Sequence, residues 1–288
     1  MTQPLDEKVF RPGHSACPGC GAAIAMRMIL DSLGSRSVVV LVPSCVSVIA
    51  GSHPYAAIKA AVYHVAFETA AASAAGISSA LKVKGKNDAP VLAFAGDGGT
   101  FDIGLQALSG AAARNDDFIY VCMDNEGYMN TGIQVSSATP RFCWTGTTPE
   151  GNLRPKKQIM EIMAAHRIPY AATATIGMPD DLQKKVQRAK SFSGTRFLHV
   201  LNPCISGWKI PENHAPLVSL AAVKTRLFPL YEIVNGLEYF ITELPQKQPV
   251  SEYLRLQGRF RHLSAEQIRT LQAETDRDWK NLVRKSSA

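Results

Sequence analysis

The sequence predicts an α/β protein: a doubly wound, mainly parallel sheet with helices on both faces and a C-terminal extension. Three observations carry this. Short apolar or β-branched runs alternate with helical patterns as far as Leu201. The runs are nearly continuous in apolar character, as in strands covered on both faces. A chain of 288 residues, 46% apolar and 19% charged, has ample material for one large domain or two small ones.

Taken in order, a first helix is read over Ala22–Leu33 and a first strand over Ser37–Pro43. Ala60–Leu81 reads as a long alanine-rich helix; it carries His64 and Glu68 and falls well short of a membrane span. Strand Pro90–Ala95, helix Gly104–Arg114 and strand Phe118–Met123 follow. Helix Gln158–His166, strand Tyr170–Thr175, helix Asp180–Ser191 and strand Arg196–Leu201 complete the alternation. A boundary falls near Pro211–Pro216. Beyond it, Leu217–Ala288 reads as irregular structure and then a charged helix from about Ala265. No internal repeat or low-complexity segment interrupts this order.

Charge narrows the class. Thirty-one Lys and Arg against 24 Asp and Glu give +7, gathered in Lys82–Lys86, Arg154–Lys157, Lys184–Lys190 and the C-terminal tail. Solvated helix faces account for most of this; the alternative is attraction of a nucleotide-like cofactor or an acidic protein. No basic stripe interleaved with aromatics is present, so nucleic acid is not expected as a partner. The apolar content excludes global disorder. The N-terminus has acids near its start and no apolar core, which fits neither a secretory signal nor a transit peptide, so a cytoplasmic location without membrane insertion is expected.

Chemistry gathers just past the strands, where ligands of open α/β sheets bind. Strand Pro90–Ala95 runs into Gly96-Asp97-Gly98-Gly99-Thr100, and strand Phe118–Met123 into Asp124-Asn125-Glu126-Gly127-Tyr128-Met129-Asn130. Glycines let backbone N–H groups approach a diphosphate, and a carboxylate supplies a hard oxygen for Mg²⁺. Asn125 offers a second oxygen and the Gly127 carbonyl a third. Alone, GDGG also fits a tight βα turn with a helix-capping aspartate. The 26 residues between Gly98 and Asn125, room for one helix and one strand, favour the metal-diphosphate reading. Cysteines stand at 17, 20, 45, 122, 143 and 204. Cys17-Pro-Gly-Cys20 is a C-x-x-C knuckle that by itself fits zinc, an iron–sulfur cluster or a redox pair. Cys45 and Cys204 each follow a strand, Cys122 lies inside one as a small buried hydrophobe, and Cys143 sits in a loop.

The string GDGGTFDIGLQALSGAAARNDDFIYVCMDNEGYMNTG resembles the β subunit of pyruvate:ferredoxin oxidoreductase and its 2-oxoacid:acceptor relatives, as do HSACPGCGAAIAMR and LRLQGRFRHL. The likeness spans almost the whole chain. It implies a thiamine-diphosphate-binding fold, with 1–215 as a domain carrying one [4Fe–4S] cluster and 216–288 as an extension packing on it or on a partner. It implies Asp97, Asn125 and the Gly127 carbonyl as Mg²⁺ ligands, and Gly96, Gly98, Gly99, Tyr128 and Asn130 around thiamine diphosphate. Asn130 takes the place of the family's polar group near thiazolium and substrate. Cys17, Cys20, Cys45 and Cys204 fall on the cluster ligands, and Cys45 also brings its backbone to the cofactor. Zinc in place of the cluster stays the alternative, since four thiolates suit both.

The implied reaction is oxidative decarboxylation of a 2-oxoacid, pyruvate foremost, with the acyl group passing to coenzyme A and electrons to ferredoxin or a similar acceptor. An aryl 2-oxoacid such as phenylglyoxylate, or oxalate, is the alternative, and a non-redox decarboxylase or synthase a weaker one. The family's pyrimidine-activating glutamate belongs to an α subunit. Glu68 is the tempting local substitute, but it matches a helix expected to be structural or at a subunit interface, and His64 on it reads as a packed histidine. The chain is thus expected to be half of an active site, beside α, γ and ferredoxin-like δ subunits or their equivalents. Relative to single-chain members, Ile133 replaces Gly, Ala22 replaces Glu and Val135 a more polar residue. The aromatic loop Pro140–Trp144 fits subunit packing or the wall of a pocket for an aryl substrate.

Overall fold

The computed structural model describes residues 8–86 and 88–287. The first seven residues, on which the reading of the N-terminus partly rests, lie outside the described residues.

Helix α1 (Gly21–Leu33) ends at Gly34, whose φ of +88° turns the chain into strand β1 (Val38–Leu41). Short helix α2 (Cys45–Ala50) and strand β2 (Ala61–His64) follow, then α3 (Ala70–Val83) and β3 (Val91–Gly96). After β3 a wide π-type turn over Gly98–Asp102 leads into α4 (Leu105–Arg114) and β4 (Phe118–Asp124). Next come α5 (Ile159–Ala165), β5 (Tyr170–Thr175), α6 (Pro179–Ser191) and β6 (Thr195–Leu201). Helix α6 starts on a proline with Asp180 and Asp181 in its first turn and ends with Arg188 and Lys190, matching both ends of the helix dipole. The chain closes with α7 (Ile205–Trp208), α8 (Ala215–Lys224), β7 (Tyr231–Val234), β8 (Glu238–Ile241), α9 (Ser251–Leu254), a 3-10 turn at Gly258–Phe260 and α10 (Ala265–Ser286).

The eight strands form one sheet in the order β2-β1-β3-β4-β6-β5-β7-β8. The first six run parallel, and β7 and β8 add an antiparallel edge. Alternate side chains feed two cores. Leu92, Phe94, Ile119, Val121 and Met123 pack with α1, α2, α6, α8 and α9. Val91, Ala93, Ala95, Phe118, Tyr120 and Cys122 pack with α3, α4, α5 and the end of α10. All seven residues of β4 are buried, as a central strand covered on both faces requires.

Two readings of the sequence need correction. Ala60–Leu81 is not one helix: Ala61–His64 is the edge strand β2, paired in parallel with β1, and α3 begins only at Ala70. Alanine favours helix, but Val62 and Tyr63 fit the open edge of β1, and tertiary pairing overrides local propensity. His64 is therefore exposed on a strand, its Nε2 3.2 Å from the Gly51 carbonyl, and Glu68 lies in the turn before α3. The segment after Leu217 is not irregular: α8, β7, β8 and α9 continue the sheet and its cover.

Candidate active site

Strands β1, β3, β4 and β6 are consecutive in the sheet, so their carboxyl ends form one row. From β1 the chain passes Pro43 and Ser44 to Cys45. From β3 it enters Asp97–Gly99, from β4 Asn125–Asn130, and from β6 Asn202–Cys204. A cleft of about 440 Å³ opens there. Among its lining residues are Cys45, Gly96, Asp97, Gly98, Gly99, Asn125, Gly127, Tyr128 and Asn130, each a residue singled out from sequence. Ser44 and Met129, at a strand end and in the Asn125–Asn130 loop marked from sequence, also line it, whereas Ser47, Val48, Phe67 and Thr131 escape sequence reasoning. Met129 and Thr131 sit inside a recognised motif; Phe67 is masked by the mistaken helix.

Asp97 is buried at the foot of the cleft. Its Oδ2 accepts a short hydrogen bond from Ser136 Oγ. The Asn125 amide lies over the other oxygen: one of its terminal atoms is 3.1 Å from Asp97 Oδ1 and 2.8 Å from the Gly127 carbonyl. With nitrogen there the amide donates to both. With oxygen there, three oxygens converge as ligands of a hard cation do. Burial and then the Asp124 charge push the Asp97 carboxyl well above the usual carboxylate range, a cost that an adjacent cation would offset. The donor set fits Mg²⁺. Gly98 is fixed by contact: a Cβ there would stand 2.2 Å from the Tyr128 ring, whose hydroxyl donates to Asp102 Oδ2 at 2.8 Å.

A buried charge network backs the Asn125–Gly127 segment. Asp124 Oδ2 accepts from Lys156 Nζ at 2.7 Å and stands 2.7 Å from His199 Nε2, while its Oδ1 accepts from the Glu126 amide at 2.9 Å. Burial alone would raise the Asp124 carboxyl; the Lys156 charge and the His199 hydrogen bond hold it below its ordinary value instead. Glu126 Oε1 accepts from Lys156 at 3.0 Å and Oε2 from Arg259 at 2.6 Å. Lys156 and Arg259 had no assigned role from sequence, because their partners lie 30 and 133 residues away.

The other three cysteines of the set, Cys17, Cys20 and Cys204, gather near Cys45. The Cys20 amide donates to the Cys17 carbonyl at 3.1 Å, closing the knuckle. Gly19 stands at φ +71°, where a Cβ would fall 1.7 Å from the Glu212 carbonyl, so only glycine fits there. Gly21 packs on the Pro203 backbone, which brings the knuckle against Cys204. Burial and then the Cys204, Cys20 and Cys17 thiols push the Cys45 thiol up to about 12. Cys20 and Cys204 are raised mainly by burial and further by the neighbouring thiols. The four are thus electrostatic neighbours. Among the described residues, no three His, Cys, Asp or Glu side chains close on a position for a single metal ion. Beside Cys204, both amide atoms of buried Asn202 lack a hydrogen-bond partner. Cys122 is buried in β4, and Cys143 packs near Arg259 and hydrogen-bonds the Trp144 carbonyl at 3.3 Å.

Ala22, Ile133, Val135 and the loop Pro140–Trp144 do not line the cleft. The loop folds onto the C-terminal segment, with the Trp144 amide donating to the Arg259 carbonyl at 3.1 Å. Glu68 is likewise outside the cleft lining. Among the described residues, no helix is long and apolar enough to cross a membrane.

Comparison with known proteins identifies the family. The family described as thiamine pyrophosphate enzyme, C-terminal TPP binding domain, matches residues 44–200. The pyruvate synthase subunit PorB of Methanothermobacter thermautotrophicus is 47% identical over 94% of this chain and 96% of its own length. The ketoisovalerate oxidoreductase subunit VorB of Pyrococcus furiosus is 44% identical over 98% of this chain and 94% of its own. A solved 2-oxoglutarate:ferredoxin oxidoreductase from Magnetococcus marinus, with 2-oxoglutarate, coenzyme A and succinyl-CoA bound, aligns at a TM-score of 0.60 and 25% identity over 74% of this chain and 76% of that chain. With a thiamine-diphosphate domain over more than half its length and such relatives over nearly all of it, the chain belongs to the family of β subunits of 2-oxoacid:ferredoxin oxidoreductases.

Proposed function

We propose that this β subunit serves a coenzyme A-acylating oxidoreductase acting on pyruvate in the cytoplasm. The observation that carries the reading is the row of four strand ends, which sets the Asp97–Asn125 oxygen site beside Cys45 and Cys204, with the Cys17–Cys20 knuckle packed against the Cys204 segment. In this reading Asp97, Asn125 and the Gly127 carbonyl hold Mg²⁺, Gly96–Gly99 and the Asn125–Asn130 loop surround the diphosphate, and Asn130 faces the substrate. Cys17, Cys20, Cys45 and Cys204 hold one [4Fe–4S] cluster. The likeness to ferredoxin-linked 2-oxoacid oxidoreductase subunits favours an iron–sulfur cluster over zinc, since four thiolates alone suit both. Thiamine diphosphate supplies an electron sink for decarboxylation, and the cluster accepts electrons singly. This chain's part is to hold the diphosphate end, to buttress Asp97 and Asn125 from beneath, and to keep Cys45 between the two groups. Six free thiols suit a reducing compartment.

No glutamate lines the cleft among the described residues, so the pyrimidine-activating carboxylate is assigned to an α subunit. A γ subunit and a ferredoxin-like δ subunit, or their equivalents, complete the complex, with ferredoxin or a similar protein as acceptor. A branched 2-oxoacid is the second reading, favoured by the likeness to ketoisovalerate oxidoreductase subunits. Phenylglyoxylate loses support because the aromatic loop packs away from the cleft. Dye reduction by the purified complex with thiamine diphosphate, Mg²⁺ and coenzyme A decides among pyruvate, ketoisovalerate, phenylglyoxylate and oxalate. Pyruvate should show the highest kcat/KM, and a higher value for any of the others displaces it.

A further inference from the structure

The reading of Asn125 and Gly127 as cation ligands leaves open what fixes their spacing. Between them stands Glu126, a non-glycine residue at φ +65°, a conformation disfavoured for side chains with a Cβ. Every polar group of Glu126 is held: its amide by Asp124, its carbonyl by Thr139 Oγ1 at 2.9 Å, and its carboxylate by Lys156 and Arg259. Just before it, the Asn125 carbonyl accepts from the indole Nε1 of fully buried Trp208 at 2.7 Å. The Arg259 guanidinium lies on that indole, 3.7 Å from the ring centroid. Trp208 ends α7, whose first turn belongs to the thiol site: the Trp208 amide donates to the Cys204 carbonyl at 2.9 Å and the Gly207 amide to Cys204 Sγ at 3.3 Å.

We propose that Trp208 and Arg259 are a paired clamp that sets the Asn125–Gly127 bend, and thereby the cation-ligand spacing, from the side of the thiol site. The inference rests on the cation-ligand reading above. Arg259 is a positioning residue here, acting through Glu126 and through the indole; Trp208 acts through the Asn125 carbonyl. The pairing is specific in chemistry. Phenylalanine at 208 would keep a ring beneath Arg259 and lose only the N–H donor, whereas methionine at 259 would fill space and lose both the ion pair and the stacked cation.

The test uses the assembled complex carrying Trp208→Phe, Arg259→Met or, as a control on the exposed neighbour, Arg261→Ala. Mn²⁺ affinity in the presence of thiamine diphosphate is read by electron paramagnetic resonance, beside iron content. Trp208→Phe should weaken Mn²⁺ binding roughly fivefold to tenfold, the loss expected of one buried hydrogen bond, with iron content unchanged. Arg259→Met should weaken it at least as much, and Arg261→Ala not at all. If Arg259→Met does not assemble, Trp208→Phe decides alone. Mn²⁺ affinity within twofold of wild type in Trp208→Phe overturns the clamp, as does iron loss in parallel with Mn²⁺ loss, which marks general unfolding. A wild-type complex that binds no Mn²⁺ with thiamine diphosphate refutes the cation-ligand reading itself, and the clamp with it.

Discussion

Asp97 spends one carboxylate oxygen on Ser136 and turns the other toward Asn125 and the Gly127 carbonyl, so its two oxygens have separate tasks. Asp97→Ala removes a buried, electrostatically strained carboxylate, and the fold should tolerate it while the oxygen set is lost. Thiamine diphosphate retained after desalting should fall at least tenfold, with iron content intact; full retention would contradict the assignment. The thiols divide as sharply. Cys20, Cys45 and Cys204 are each raised by neighbouring thiols of the set, Cys17 among them, whereas Cys122 faces the core and Cys143 lies beside Arg259. Serine at 122 or 143 should leave iron content and the visible absorption band unchanged, while serine at 204 should deplete both. The reverse pattern, iron kept in Cys204→Ser and lost in Cys143→Ser, would refute the ligand set.

The candidate oxygen ligands, Cys45 and Cys204 follow strand ends, where ligands of open parallel sheets bind, while Cys17 and Cys20 precede α1. Four neighbouring strands supply the row, and α7 ties its β6 end back to its β4 end. Farther off, α10 is an element with a marked start. Ser264 Oγ accepts from the Gln267 amide at 3.2 Å and Gln267 Oε1 accepts from the Ser264 amide at 2.9 Å, a reciprocal capping box. Ser264 is exposed and little else depends on it. Ser264→Ala should destabilise the first turn by about 1 kcal/mol. Hydrogen exchange there should quicken about fivefold, and unchanged exchange would show that packing at Leu271 and Trp279 governs the helix end.

At the scale of the whole molecule, the cleft is one-sided. In the proposed reading this chain supplies the diphosphate floor, but among the described residues no glutamate lines the cleft, and Glu68 sits in the turn before α3. Purified alone and supplied with thiamine diphosphate, Mg²⁺ and coenzyme A, it should reduce no dye in response to 2-oxoacids. Adding the partner subunits should restore turnover. Sustained turnover by the single chain would place the missing carboxylate here, with Glu68 the first to substitute. The net charge of +7 suits an acidic electron carrier, and any steering from it should weaken as salt rises toward a Debye length of about 8 Å.

The sequence alone determined the alternation of strand and helix, the GDGG and DNEG turns, and the C-x-x-C knuckle. Each of these is written in residues adjacent along the chain, where glycine, aspartate and β-branched side chains act on their own backbone. It misread Ala60–Leu81, because an edge strand is chosen by the neighbour it pairs with and not by its own alanines. Only the tertiary structure decided that Trp208 reaches Asn125 across 83 residues and Arg259 reaches Glu126 across 133. Such contacts depend on how β6, α7 and the 3-10 turn pack on the sheet. A tryptophan or arginine buried by that packing looks, in sequence, like any other.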